Sequence, residues 1–206
     1  MASLRSKFWA KVISKEIGKA PEIKDTSDIR KDFSGDSRIL RANYWKKDKE
    51  IDYSNFNIED LPVLKLENKK IKSNKTLLYL RGGGYGACGP ETHGPLITQL
   101  SLMAKTHVLF PIYRLAPEHP FPAAIEDAVT SYKYLLDQGI KPREIFVAGD
   151  SAGGGLTMAL LQKIKEENLP NPACAIVISS SPVIIVSTLP SLSLPLISLA
   201  SPSLNS

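Results

Sequence analysis

The sequence predicts an α/β protein built on a mostly parallel sheet with helices on both faces. Three observations carry that expectation. Short apolar runs recur at TLLYL (76–80), HVLFPIY (107–113), EIFVAG (144–149) and ACAIVIS (173–179), each the length of a buried strand. Between them lie stretches of ten to fifteen residues with helical spacing, the alternation that builds a parallel sheet covered on both sides. The bulk numbers agree: 206 residues with 43% hydrophobic and 23% charged content suit one globular domain with a sizeable core.

Taken in order, residues 1–45 read as helical and then irregular. Phe8, Trp9, Val12, Ile13 and Ile17 fall near one face of a helix. A packed amphipathic helix is the main reading, with a transit peptide or membrane-surface association as alternatives. The opening MASLRSKFWAKVISKE lacks the apolar core and small-residue cleavage site of a secretory signal. Residues 46–75 are polar and broken, with one short strand candidate at 63–66. The first strong strand, 76–80, runs straight into the glycine turn RGGGYG. A helix is predicted over 92–105, with Leu96, Leu100 and Met103 on one side. After the 107–113 strand comes the proline-rich loop RLAPEHPFP. Pro122 suits the first turn of the next helix, whose buried face is spaced by Ile125, Val129, Tyr132 and Leu136. Gly139 closes that helix. The 144–149 strand leads to a serine turn and a helix carrying Leu156, Leu160 and Ile164, before the strand at 173–179.

Composition changes sharply at the end. From residue 168 onward there is no charged residue, and 187–206 is almost wholly Ser, Leu, Pro and Ile. Pro182, Pro190, Pro195 and Pro202 argue against a long helix or a central strand, and the same prolines and serines interrupt any membrane span. The organisation expected is a cap-like helical segment at 1–45, a partial core at 46–181, and a disordered Ser/Leu/Pro tail at 182–206. The break near 181–183 reads as a departure from the ancestral course by altered splicing or a shifted frame.

The net charge of +5 is uneven: residues 1–75 hold 18 Lys+Arg and 12 Asp+Glu, and residues 76–206 hold 8 and 9. Acids interleave the bases in the first part, which describes a solvated surface and no nucleic-acid stripe. Cys88 and Cys174 lie far apart without a metal-ligand pattern, so no metal is expected, and the pair fits a reducing, cytoplasmic compartment.

Two motifs carry chemistry. GDSAG at 149–153 fits G-x-S-x-G, a sharp strand-to-helix turn that exposes a strained serine. Glycines two residues either side let neighbouring backbone approach without a side-chain clash. The chain supplies the strand before and the helix after. The second motif, Arg81-Gly82-Gly83-Gly84-Tyr85, follows the first strong strand. Its backbone N–H groups, with that of Ala152 at the helix start, can converge on one oxygen and bind the charge of a tetrahedral intermediate. No Lys-Ser/Thr pair follows the glycines, which disfavours a nucleotide loop.

LLYLRGGGYGACGPETH, YRLAPEHPFPAAIEDA and VAGDSAGGGL, in that order and separation, resemble the hormone-sensitive-lipase-like branch of the α/β-hydrolases. The similarity is dense from about residue 76 to 181. It implies an α/β-hydrolase fold with an N-terminal helical cap, carboxylesterase or lipase activity on small apolar acyl esters, and no cofactor. Position by position, it makes Ser151 the nucleophile and Gly83, Gly84 and Ala152 the oxyanion donors. Gly82 opens the loop, Asp150 is the acid that commonly precedes the family's serine, and Glu118 and His119 belong to a supporting loop. The family usually has histidine where this chain has Arg81. Arginine is larger and permanently charged, so an altered loop is expected.

In this fold the order is Ser, then Asp or Glu, then His. Here the last carboxylate is Glu167, and the three histidines, His93, His107 and His119, all precede Ser151. His93 and His107 read as structural, while His119 lies in a loop able to approach the site. The expectation is a C-terminally truncated hydrolase of little or no activity. The alternatives are a non-catalytic member of the family that binds a small apolar ligand, or a fragment without function. Oligomeric state is not legible in the sequence.

Overall fold

The computed structural model describes residues 47–178 in full and the backbone of 184–187 and 197–198. The cap-like segment 1–45 and most of the tail lie outside the described residues.

Two strands stand where the sequence suggested one. β1 (Ile51–Ile58) and β2 (Leu61–Asn68) form an antiparallel hairpin that turns at Glu59 and Asp60, with Glu59 in the left-handed region at φ 52°. β1 is an edge strand, and polar residues make up half of its run IDYSNFNI, much of which faces water. That is why no apolar run betrays it.

The next elements follow the expected alternation. β3 (Thr76–Leu80), α1 (Pro90–Ala104), β4 (His107–Pro111), α2 (Ala123–Asp137), β5 (Ile145–Asp150), α3 (Ala152–Glu166) and β6 (Cys174–Ile178) succeed one another. β7 (Ile184–Ser187) and β8 (Ile197–Ser198) complete a sheet of order β1-β2-β4-β3-β5-β6-β7-β8. Its centre, β4-β3-β5-β6, is parallel, and the flanking pairs are antiparallel. β7 and β8 fall inside the segment expected to be disordered. IIVS lies between Pro182 and Pro190, so no proline denies it a ladder to β6.

Strand alternation divides the core between two faces. Leu78 and Leu80 point into a cluster with Val129, Tyr132, Leu156 and Leu160 of α2 and α3. Leu77 and Tyr79 point the other way, toward Ile97 of α1 and Phe110. α1 corrects one sequence expectation. Leu96 and Met103 are 40% and 79% exposed, while His93, Ile97, Thr98 and Ser101 are buried. The buried polar groups of α1 have partners: Ser101 donates to the Thr106 carbonyl at 2.6 Å, and Thr98 meets the Tyr53 hydroxyl at 3.1 Å.

Candidate active site

One residue, Ser151, separates β5 from α3. Its backbone lies at φ 51°, ψ −120°, a region that non-glycine residues rarely adopt, and its side chain is exposed. Its amide donates to the Ile178 carbonyl at 2.7 Å, which fixes the turn against β6. A Cβ at Gly153 would collide with the carbonyl oxygens of Leu80 and Arg81, and one at Gly149 with the carbonyl of Gly153. The two glycines are what let α3 start so close to β3 and β5.

The loop after β3 curls beside this turn. Gly83 sits at φ 126°, and its carbonyl accepts the amides of Gly86 and Ala87 at 3.1 and 3.0 Å. Among the described residues the N–H groups of Gly83, Gly84 and Ala152 have no hydrogen-bond partner. Ala152 is the first residue of α3, so its amide also carries the positive end of the helix. Three free donors therefore lie on the segments that flank the strained serine.

Asp150 ties the loop to the turn. Its Oδ1 accepts the Gly82 amide and the Tyr79 hydroxyl, both at 2.9 Å. His93 Nε2 lies 3.3 Å from Oδ1 and 3.4 Å from Oδ2. Burial pushes the Asp150 carboxyl up, but the hydrogen bonds from His93, Tyr79 and Gly82 outweigh it and hold it below the usual aspartate value.

The Arg81 side chain, larger than the histidine usual in the family, is packed inside the protein. It is only 1% exposed and donates to three carbonyls: Cys88 (2.8 Å), Pro111 (3.2 Å) and Tyr113 (2.9 Å). Its guanidinium lies 4.0 Å from the Tyr113 ring centroid. Burial pulls its pKa down, partly opposed by Tyr113, Cys88, Glu91 and Asp127. Arg81 thus joins the far end of the glycine loop, at Cys88, to the end of β4.

Of the expected supporting residues, Glu118 and His119 are exposed on the loop after β4. That loop meets the glycine loop where the Ala116 amide donates to the Tyr85 carbonyl at 2.8 Å. Between them and α3 is a cavity of about 290 Å³, lined by Tyr85, His119, Phe121, Ile125, Leu156 and Ala159 among others. Arg114 braces the loop from outside, donating to Asp127 through its amide (2.7 Å) and Nε (3.0 Å).

The histidines part company. His107 begins β4, at the opposite end of the parallel strands from Ser151. It accepts the Asn68 amide and donates to the Ser73 carbonyl. His93 is brought beside Asp150, and His119 lines the cavity. Among the described residues no hydrogen bond links the Ser151 hydroxyl to any of them. Sequence reading passed over Tyr79 and Tyr113 and gave His93 only a structural role. They sit in apolar or helical surroundings, and only their approach to Asp150 or Arg81 marks them out.

The strand–serine–helix turn beside a glycine loop, on a sheet of this order, defines a class of hydrolase. A family model described as alpha/beta hydrolase fold matches residues 77–193, and the chain belongs to that family, in its hormone-sensitive-lipase-like branch. It is 47% identical over 108 residues to an acetyl-hydrolase of Streptomyces hygroscopicus, covering 52% of this chain and 36% of that protein. It is 38% identical over 107 residues to the carboxylesterase/phospholipase LipF of Mycobacterium tuberculosis, covering 52% and 28%. Among solved structures, an esterase from the bacterial hormone-sensitive lipase family matches with TM-score 0.75 and 32% identity, over 86% of this chain and 58% of that one. EstE5 soaked with ethyl alcohol matches with TM-score 0.77 and 32% identity, over 88% and 59%. The matched region spans about a third of each of these two curated relatives.

Proposed function

We propose that this chain carries the nucleophile and oxyanion half of a carboxylic-ester hydrolase site. The observation that carries the reading is Ser151 in strained backbone geometry beside the amides of Gly83, Gly84 and Ala152, which have no partner among the described residues. Ser151 Oγ loses its proton to solvent as it attacks the ester carbonyl carbon, and the carbonyl electron pair moves onto oxygen, where the three amides receive it. Collapse of the intermediate expels the alcohol, which takes up a proton. Water then cleaves the acyl-serine to release the acid.

The cavity beside α3 suits the acyl chain. Its lining is largely apolar, and Leu156 and Ala159 lie five and eight residues along the helix from Ser151. At 1.5 Å per residue these positions are about 7 and 12 Å away along the axis, the reach of a short to medium acyl chain. The substrate class is a small apolar acyl ester, in a cytoplasmic setting.

The hydroxyl has no histidine bonded to it among the described residues. Without a base, the serine stays protonated and attacks poorly. Turnover by these residues is then expected near the level that donors and binding alone supply, about 10³–10⁴-fold over water. The same cavity supports a second reading, a non-catalytic binder of a small apolar ligand.

Purified chain and Ser151→Ala, assayed with p-nitrophenyl butyrate and by mass spectrometry after a fluorophosphonate, separate the two. A Ser151-dependent rate and a single adduct on Ser151 are expected. Equal rates and no adduct would sink the hydrolase reading, and saturable one-to-one uptake of an apolar fluorophore would then favour the binder.

A further inference from the structure

We propose that His93 is a positioning residue: it fixes the Asp150 carboxylate, and through it the Gly82 amide at the root of the oxyanion loop. This rests on the reading of that loop as an oxyanion site for Ser151.

The geometry is a relay of four groups. His93 is on the buried face of α1, 9% exposed, with its ring near Tyr79 and Phe110 (centroids 6.3 and 6.2 Å). Its Nδ1 lies 2.8 Å from Thr92 Oγ1, which in turn bonds to both the amide and the carbonyl of Gly89 at the start of the helix. With the ring held at that side, Nε2 faces Asp150 and straddles its two oxygens.

That straddling matters because the other two donors, Tyr79 and Gly82, both bond to Oδ1. Among the described residues His93 is the hydrogen-bond partner of Oδ2. The Asp150 side chain is 27% exposed, so without His93 water can draw Oδ2 outward and rotate the carboxylate. Gly82 has no room for such rotation to be harmless. A Cβ there would collide with Oδ2, which shows how flat the carboxylate lies against the loop. Gly82 immediately precedes the donor residues Gly83 and Gly84, and Asp150 immediately precedes Ser151. A turned carboxylate therefore disturbs both halves of the site together. The pull of His93 on the Asp150 carboxyl acts in the same direction as this geometry.

The test uses the full chain, isotope-labelled, with His93→Phe and with His93→Gln, whose amide can still donate toward Asp150. Two readouts are needed: the NMR titration midpoint of the Asp150 carboxyl carbon, and the rate of Ser151 labelling by a butyl fluorophosphonate. In His93→Phe the Asp150 midpoint moves to higher pH, and the limiting labelling rate falls about tenfold while the half-saturating concentration stays within twofold. His93→Gln recovers at least half of both changes. An Asp150 midpoint unchanged in folded His93→Phe overturns the proposal. So does a labelling loss that His93→Gln does not relieve, since that describes a core residue only. Should His93→Phe fail to fold, His93→Gln decides: an Asp150 midpoint between those of the wild type and the urea-unfolded chain supports the relay, and one equal to the unfolded value overturns it. Absence of labelling in the wild type is failure of the hydrolase reading, and the Asp150 midpoint still decides whether His93 holds the carboxylate.

Discussion

Tyr113 and Arg81 hold each other at the root of the glycine loop. The Tyr113 hydroxyl donates to the Arg81 carbonyl at 2.7 Å, and Arg81 Nη2 donates to the Tyr113 carbonyl at 2.9 Å, with the guanidinium stacked on the phenol ring. The closed pair joins the end of β3 to the residues after β4, so the loop between them starts from a fixed base.

Removing one side of this pair is costly in different degrees. Tyr113→Phe leaves the buried Arg81 carbonyl without its donor and is expected to cost about 1–3 kcal/mol. Arg81→Met strands the carbonyls of Cys88, Pro111 and Tyr113 together, and is expected to cost at least about 3 kcal/mol. Urea unfolding at pH 7 measures both. Equal midpoints for wild type and Arg81→Met would mean that the guanidinium contributes nothing net to the fold.

Gly153→Ala tests the turn itself. The added methyl meets backbone oxygens of Leu80 and Arg81, which cannot swing away as a side chain can. The helix must shift from the sheet or the elbow must open, at a cost of about 3 kcal/mol or more. A lower melting temperature with loss of Ser151 labelling is expected. A fully stable variant that labels as wild type would contradict the tight packing of α3 on β3.

The central fold was legible because its strands are buried on both faces and therefore read as unbroken apolar runs. TLLYL matches β3 residue for residue. β1 was hidden by the same logic reversed, since an edge strand keeps polar residues. In α1, apolar residues occur nearly all round the helix, and periodicity alone pointed to Leu96 and Met103 where the sheet in fact covers Ile97. At the site, the motif located Ser151, Asp150 and the glycines. It could not reveal that Asp150 faces His93 across 57 residues of chain, because that meeting depends on how α1 lies over the sheet.

Acid should loosen the site through Asp150. Its folded pKa is depressed, so its stabilising contribution is fully present above the ordinary aspartate value of about 3.9 and is lost as pH falls through the lower folded value. Asp150→Asn cannot titrate there. The stability gap between wild type and Asp150→Asn is therefore expected to shrink as pH falls below about 4. Urea midpoints across that range check it. A gap that grows below about pH 4 would contradict the direction of the shift.

The cavity makes a prediction about chain length. Ala159 is exposed on α3 and lines the cavity without belonging to the core, so Ala159→Phe can fill part of the roughly 290 Å³ with little loss of stability. If the cavity receives the acyl chain, filling it penalises long chains and spares short ones, because only the long ones reach beyond Leu156. Each methylene excluded from an apolar site forfeits about 0.8 kcal/mol. Three excluded methylenes would forfeit about 2.4 kcal/mol, a discrimination of about fifty-fold. The expected result is labelling by an ethyl fluorophosphonate within twofold of wild type, with labelling by an octyl fluorophosphonate reduced by at least tenfold. Equal effects on both probes would place the acyl chain elsewhere and leave the cavity to a different ligand.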